Sequence, residues 1–131
     1  MTEPVEISVR TRERAEAIDI TSAIEEKLSL LNTDKAINIW VPHTTAAVTV
    51  NEAADPAVMS DLLAQFDEIA PWSNNYTHME GNSAAHVKSM LLNCHQWLPV
   101  DAGCLQLGRW QGVFFMEFDG PRRRTVYLYP D

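Results

Sequence analysis

Cysteine, long apolar runs and positive charge are all scarce in this sequence. Cys94 and Cys104 are the only cysteines in 131 residues, and they do not form a Cys-x-x-Cys pair. A disulfide framework is therefore not expected, and we interpret both as free thiols. No apolar run approaches the roughly 18–20 residues that span a bilayer, which argues against a membrane partner. The acidic, polar start at residues 1–4 does not resemble a signal peptide, so we expect a cytoplasmic location.

The shortage of positive charge bears on the choice of ligand. The chain has 10 lysines and arginines against 18 aspartates and glutamates, a net charge of -8. Proteins that bind nucleic acid normally present a basic face, so no nucleic-acid partner is expected. The one basic run, Arg122 to Arg124, suits a small anionic ligand better, although solvated turn residues would look the same.

The overall composition is that of a folded domain. Hydrophobic residues make up 46% of the chain, which is typical of globular proteins, and 131 residues are enough to bury a core. The sequence has no internal repeat and no low-complexity segment. We therefore expect one domain over residues 1–131.

Apolar periodicity predicts an α+β fold. Strands are expected where apolar residues alternate or run together, and helices where they recur at helical spacing. The expected order is strand, helix, two strands, two helices and about four strands joined by short turns, so the later strands should be antiparallel. The fold class predicted is one mainly antiparallel sheet with helices packed on one side.

Local signals set some of the boundaries. Asp55-Pro56 is a clear helix start, and Ser22-x-x-Glu25 fits a capping box. A further helix should begin at Asn82 or Ser83, with Val87, Met90 and Leu91 facing inward. The strongest strand runs from Gln111 to Asp119, and a turn at Asp119-Gly120-Pro121 should return the chain as a strand over Thr125 to Tyr129.

The stretch from Glu80 to Lys88 is the best candidate for a ligand site. A helix N-terminus has free N–H groups and about half a positive charge, which suits phosphate. Gly81 allows close backbone approach, Asn82 and Ser83 add donors, and Lys88 adds a full charge. An ordinary helix cap is the alternative interpretation.

Three histidines on different elements suggest a metal site. His43, His78 and His86 could together bind Zn²⁺ or a similar ion and leave a coordination position open. Each could equally be an ordinary, hydrogen-bonded polar residue, because their spacing matches no metal motif.

Carboxylates and one amide are further candidates. Glu52 has no capping role such as that of Asp55 to explain it, and Glu117 or Asp119 could bind Mg²⁺, act as a base or pair with Arg122. An ion pair with an arginine is the first expectation for Asp119. Trp110-Gln111 could offer an aromatic platform and an amide to a heterocycle, although core packing would explain Trp110 equally well.

Several stretches together resemble one family. They are His43-Thr44-Thr45-Ala46-Ala47 with Asn51-Glu52, Asp55-Pro56, Tyr76-x-His78-x-Glu80-Gly81-Asn82-Ser83-x-x-His86-x-Lys88, Leu107-Gly108-x-Trp110-Gln111, and Glu117-Phe118-Asp119-Gly120-Pro121-Arg122. In this order, over residues 40–127, the combination resembles the YjbQ family of small bacterial and archaeal proteins. Arg109, where a small residue is expected, and the bulky segment 93–98 depart from the family pattern.

The resemblance implies an α+β subunit that forms a homotrimer, with its polar site near a subunit boundary. It also implies secondary thiamine-phosphate synthase activity, as described for some members. That reaction joins hydroxymethylpyrimidine diphosphate to thiazole phosphate and releases pyrophosphate, normally with Mg²⁺. The activity is regarded as a side function, which leaves the family's main role open.

These observations lead to one hypothesis and one rival. In the hypothesis, a phosphorylated small molecule is held by Asn82, Ser83, Lys88, Gln111 and Arg122. The catalytic residues are Glu52, His86 and Asp119, and a divalent ion (Mg²⁺ or Zn²⁺) is bound by His43, His78 and His86. The rival is a non-catalytic trimeric protein that binds a metal ion or a small phosphorylated metabolite.

Overall fold

The strands form two antiparallel sheets that enclose a common core. The computed structural model describes residues 3–131. The elements in chain order are β1 Val5–Arg10, β2 Glu16–Asp19, α1 Thr21–Glu25, α2 Leu28–Leu31, β3 Ala36–Trp40, β4 Ala46–Glu52, α3 Pro56–Ile69, α4 Ser83–Leu92, β5 His95–Asp101, β6 Cys104–Leu105, β7 Gln111–Glu117 and β8 Arg123–Pro130.

The predicted α+β class with mainly antiparallel pairing is confirmed, but the strands divide between two sheets instead of one. The larger sheet has the order β1-β8-β3-β5-β6, and the smaller has the order β2-β7-β4. Apolar residues of both sheets meet between them, among them Ile37, Ile39, Val48 and Phe115. The short helices α1 and α2 add Ile24, Leu28 and Leu31 to this core.

Strand β7 separates two apolar clusters and is buried on both faces. Val113 and Phe115 point into the core between the sheets. Phe114, Met116 and Phe118 belong to a second cluster with residues of α3 and α4. The sequence predicted this division of faces, and the structure shows that helices cover the second face.

The chain changes sheets between β7 and β8, so the expected hairpin at Asp119-Gly120-Pro121 is wrong. β7 pairs with β2 and β4, whereas β8 pairs with β1 and β3. A Cβ on Gly120 would lie 2.3 Å from the carbonyl oxygen of Glu13, so the crossing is packed against the β1–β2 connection. This crossing forms one wall of the site described below.

Of the two helix caps predicted from the sequence, one is confirmed and one is wrong. Asp55 caps α3 as expected, since its Oδ1 accepts from the Ala57 N–H at 3.0 Å. The capping box at Ser22 is wrong, because α1 begins at Thr21 and the Thr21 N–H donates to Asp19 Oδ1 at 2.9 Å. Asp19 ends β2, a strand that the sequence patterns did not predict.

Helix α4 faces the opposite way from the prediction. Val87, Met90 and Leu91 are 40%, 85% and 55% exposed, and the buried residues are Ala84, Ala85, Lys88 and Ser89. The small side chains let α4 pack closely on β4, where the Ser89 hydroxyl donates to the Ala46 carbonyl at 2.7 Å. The buried face of α4 is therefore formed by small and polar side chains and not by its larger apolar residues.

Among residues 3–131, no helix is long and apolar enough to span a membrane.

Candidate functional site

Three loops surround a cleft of about 440 Å³. They are the connection from β3 to β4, the segment that precedes α4, and the crossing between β7 and β8. Its lining residues are Pro42, His43, Thr44, Thr45, His78, Glu80, Asn82, His86, Asp119, Arg122 and Arg124. The cleft therefore contains all three histidines predicted from the sequence, together with Asn82, Asp119 and Arg122.

Asp119 is the centre of a polar cluster on one wall. Its Oδ2 accepts from Asn82 Nδ2 at 2.8 Å and from Arg122 Nη2 at 3.2 Å. Arg122 Nε also donates to the Asp119 carbonyl at 2.9 Å. The carboxylate thus holds both donors, and the ion pair with an arginine that the sequence suggested for Asp119 is present in the structure.

Asn82 leaves one buried acceptor open. The residue is 8% exposed, and its Oδ1 finds no hydrogen-bond donor within residues 3–131. Turning the amide over would set Oδ1 against the Asp119 carboxylate, which repels it, so the orientation is fixed. A buried acceptor without a donor costs about 1–3 kcal/mol, and a water or a bound molecule at the cleft can supply the missing donor.

Helix α4 begins at this wall. Asn82 is its N-cap, but the side chain donates to Asp119 and makes no capping bond to the described part of the chain. Gly81 has φ +75°, a conformation that favours glycine, and a Cβ there would meet no atom within 4 Å in the described chain. The positive end of the helix dipole therefore lies beside the cleft.

His78 and His86 lie edge to face, with ring centroids 5.5 Å apart. His78 is exposed on the loop before α4, and His86 is half-buried on the first turns of the helix. Their contact places two imidazoles on one side of the cleft, where either can donate or accept a hydrogen bond.

The protonation and the tautomer of His43 are set by its surroundings. The Thr125 N–H donates to its Nε2 at 3.0 Å, so in the neutral ring the proton is on Nδ1. Burial, assisted by the positive charge of Arg124, lowers the pKa of His43 below its usual value. His43 is therefore a neutral ring whose second nitrogen is a donor.

This bonding does not fit a metal site formed by the three histidines. Nε2 of His43 is occupied by a backbone N–H, and Nδ1 carries the proton. Within residues 3–131, no group of three histidine, cysteine, aspartate or glutamate side chains has an arrangement that could hold a metal ion. A single chain thus does not assemble the predicted ligand set, although the histidines share one cleft.

A buried ion pair supports the floor of the cleft. Arg124 Nε donates to Glu117 Oε1 at 2.8 Å, its Nη2 contacts Oε2, and Nη2 also donates to Thr45 Oγ1 at 2.8 Å. Thr11 Oγ1 donates to Glu117 Oε1 at 2.8 Å, and the Phe118 and Asp119 N–H groups donate to Oε2. Burial alone raises the pKa of Glu117, but these hydrogen bonds outweigh it and lower the pKa below its usual value.

Sequence reasoning missed Arg124 and Thr45 as site residues. A sequence feature pointed to each of them, since Arg124 ends the only basic run and Thr45 belongs to the His43-Thr44-Thr45 motif. Arg124 is 3% exposed, and its partner Glu117 lies across the sheet boundary. Only the tertiary structure shows that Arg124 supports the cleft from below and that Arg122 is half-exposed at the cleft.

Lys88 lies away from the cleft. It is 3% exposed and forms an ion pair with Asp67 of α3, so it joins two helices. The sequence had placed its charge on a phosphate, and its position on the buried face of α4 is the reason that it points elsewhere.

Glu52 and Gln111 are also engaged at other places. Glu52 lines a separate cleft, and its Oε2 accepts from the Ala54 N–H at 3.1 Å. Gln111 Oε1 accepts from the Gly108 N–H at 2.8 Å. Ser83 is the first residue of α4, next to Asn82.

Comparison with known proteins identifies the family. The sequence profile described as UPF0047 protein YjbQ-like matches residues 5–129. The chain belongs to the UPF0047 family of YjbQ-like proteins. Bacillus subtilis UPF0047 protein YugU is 48% identical over 93% of this chain and 94% of its own length. A UPF0047 protein of Archaeoglobus fulgidus is 36% identical over 95% and 98%.

Solved structures share the UPF0047 fold seen here. A YjbQ/UPF0047 protein from Clostridium acetobutylicum superposes with a TM-score of 0.91 at 40% identity, over 95% of this chain and 97% of that one. A conserved hypothetical protein from Thermus thermophilus gives 0.91 at 42% identity, over 97% and 99%. Much of the YjbQ-like motif lines the cleft. Arg109 departs from the family pattern, and its guanidinium carbon lies 4.8 Å from the centroid of the Trp110 ring.

Proposed function

We propose that the cleft binds a phosphorylated small molecule through Arg122 and the N-terminus of α4. The observation that carries this proposal is the Asn82–Asp119–Arg122 cluster, which fixes a half-exposed guanidinium beside a helix start. Oriented guanidinium and helix N–H groups are the usual ligands of phosphate oxygens in proteins.

Asp119 orients Arg122 and leaves part of its guanidinium free for a ligand. The Asp119 carboxylate offsets Arg122, and Glu117 offsets Arg124, so the positive end of the α4 dipole is what adds to the positive side of the site. The neutral Nδ1–H of His43 is a further donor, and His86 faces the same space. An anion placed here gains several preorganised donors without a large change of structure.

The reaction that we propose is the one implied by the family resemblance. The bond from the pyrimidine methylene carbon to the diphosphate oxygen breaks, and its electron pair leaves with pyrophosphate. The thiazole nitrogen forms the new bond to that carbon, giving thiamine phosphate. Arg122, the start of α4 and His86 would stabilise the charge that develops on pyrophosphate.

Incubation with hydroxymethylpyrimidine diphosphate, thiazole phosphate and Mg²⁺ tests this activity. Thiamine phosphate and pyrophosphate should form in equal amounts, and Arg122→Ala and His86→Ala should each reduce the rate. Arg123→Ala is the matched control, because Arg123 is exposed on β8 and does not line the cleft. Pyrophosphate that stabilises the protein while no product forms would favour the rival, a binding protein without catalysis.

Three further sequence-based expectations remain predictions. A divalent ion would have to be held by a ligand set other than the three histidines of one chain, and elemental analysis of the purified protein tests for it. Homotrimer formation is supported by exposed aromatic residues on the outer face of the larger sheet, including Trp40 and Trp97, and light scattering measures it. The cytoplasmic location is likewise a prediction.

A further inference from the structure

A second compartment continues from the cleft along α4. It has a volume of about 360 Å³ and shares His43, Thr44 and His86 with the first. Its other lining residues are Ser89, Met90, Asn93 and Cys94. The two compartments thus form one elongated site, with two imidazoles at the junction.

The compartments differ in charge. The first contains Glu80, Asp119, Arg122 and Arg124. Among the described residues that line the second, none is aspartate, glutamate, lysine or arginine. The first compartment therefore suits a charged group, and the second suits an uncharged one, because a charge there would meet no compensating partner.

The polar groups of the second compartment are largely engaged within the protein. The Ser89 hydroxyl donates to the Ala46 carbonyl at 2.7 Å, and Asn93 Oδ1 accepts from the Cys94 N–H at 2.7 Å. Met90 and Cys94 complete the lining, and Cys94 also packs against the core between the sheets. Sulfur makes favourable contacts with aromatic rings, and methionine adapts to different shapes.

We infer that the second compartment binds the uncharged aromatic ring of a ligand whose phosphate lies in the first. The inference deepens the proposed function, and it rests on that function only for the position of the ligand's phosphate. It makes the outward-facing residue Met90, 85% exposed, a specificity residue at the rim. It also gives a reason for the site to be longer than a phosphate requires.

Cys94 allows a direct test. The uncharged thiazole alcohol, which lacks phosphate, is added to wild-type protein, and alkylation by iodoacetamide is followed by peptide mass spectrometry. Cys104 is an internal control, because it is exposed at the β5–β6 turn, outside both compartments. At ten times its dissociation constant the alcohol should slow alkylation of Cys94 about tenfold. The rate at Cys104 should not change.

Two variants test whether the alcohol binds in the second compartment. Met90→Glu places a charge on the rim and should remove most of the protection, whereas Leu91→Glu, also exposed on α4 but outside the lining, should keep it. The inference is overturned if the alcohol fails to protect Cys94, if it slows both cysteines equally, or if Leu91→Glu has the same effect as Met90→Glu.

Pyrophosphate separates this inference from the proposed function. It should raise the melting temperature of the wild type and not that of Arg122→Ala, without protecting Cys94. If this pattern appears while the thiazole alcohol gives no protection, the proposed anion site stands and the ring compartment is wrong. If the alcohol protects Cys94 while pyrophosphate has no effect on the wild type, the ring compartment stands and the proposed anion site is wrong.

Discussion

Glu117 and Arg124 form an ion pair that joins the two sheets directly below the candidate site. Glu117 ends β7 in the smaller sheet, and Arg124 lies in β8 of the larger one. Both side chains are almost fully buried. Because Glu117 also accepts from the N–H groups of Phe118 and Asp119, the pair fixes the start of the crossing that carries Asp119 and Arg122.

Arg124→Met should destabilise the protein by about 3–5 kcal/mol, because it leaves a buried carboxylate without its partner. The double variant with Glu117→Leu should lose less than the sum of the two single changes, since no charge is then buried. Denaturant unfolding measures all three. The control Arg123→Met, at an exposed position, should remain within about 0.5 kcal/mol of the wild type. Strict additivity of the two single changes would contradict this account of the pair.

Asp67→Asn should be more destabilising than Lys88→Met. The first change leaves the buried Lys88 ammonium without a carboxylate, at a cost of about 1–3 kcal/mol, whereas the second removes the charge itself. Both variants should retain the affinity for pyrophosphate, measured by calorimetry, because Lys88 does not line the cleft. Glu68→Gln, exposed on the same helix, is the matched control. A large loss of pyrophosphate affinity in Lys88→Met would instead support the phosphate-binding role predicted from the sequence.

Stability should fall in two stages as the pH is lowered. The folded-state pKa of His43 lies below its usual 6.5, so the unfolded chain binds more protons and stability declines below that pH. The lowered pKa of Glu117 acts with the same sign below its usual 4.5. Denaturant unfolding from about pH 8 to about pH 3 measures the effect, because Glu117 contributes only below its usual pKa. In His43→Gln the decline that begins below about pH 6.5 should become smaller, and an unchanged curve would contradict the role of His43.

Gly120→Ala should strongly destabilise the crossing between the sheets. A Cβ at this position would lie 2.3 Å from the Glu13 carbonyl oxygen, 2.8 Å from Thr11 Oγ1 and 2.9 Å from Glu117 Cγ. Overpacking of this kind costs about 1–3 kcal/mol or more. Gly103→Ala is the comparison, because it has a positive φ but open space around it in the described chain, and it should cost about 1 kcal/mol. Thermal unfolding compares the stability of the two variants, and equal losses of stability would contradict the packing argument.

Some features of this protein follow from sequence alone because they depend on local chemistry. Alternation of apolar residues located β1, β4 and the two faces of β7, and Asp55-Pro56 fixed the start of α3. The motif around His43, His78 and His86 indicated the family and the part of the chain that lines the cleft.

Other features depended on packing between distant segments. The apolar periodicity of α4 predicted the wrong buried face, since Ala84, Ala85 and Ser89 pack on β4 at short range and leave Met90 exposed. The sequence likewise could not show that β7 and β8 belong to different sheets, because a short turn looks the same whether the chain returns or crosses.

The same limit applies to the individual charges of the site. The sequence identified the arginines, the histidines and the lysine as candidates for one site. Only the tertiary structure decided that Lys88 pairs with Asp67, that Arg124 is buried against Glu117 and that Arg122 is half-exposed at the cleft. A charge takes the partner that desolvation and geometry leave available, and that partner is set by the fold and not by distance along the chain.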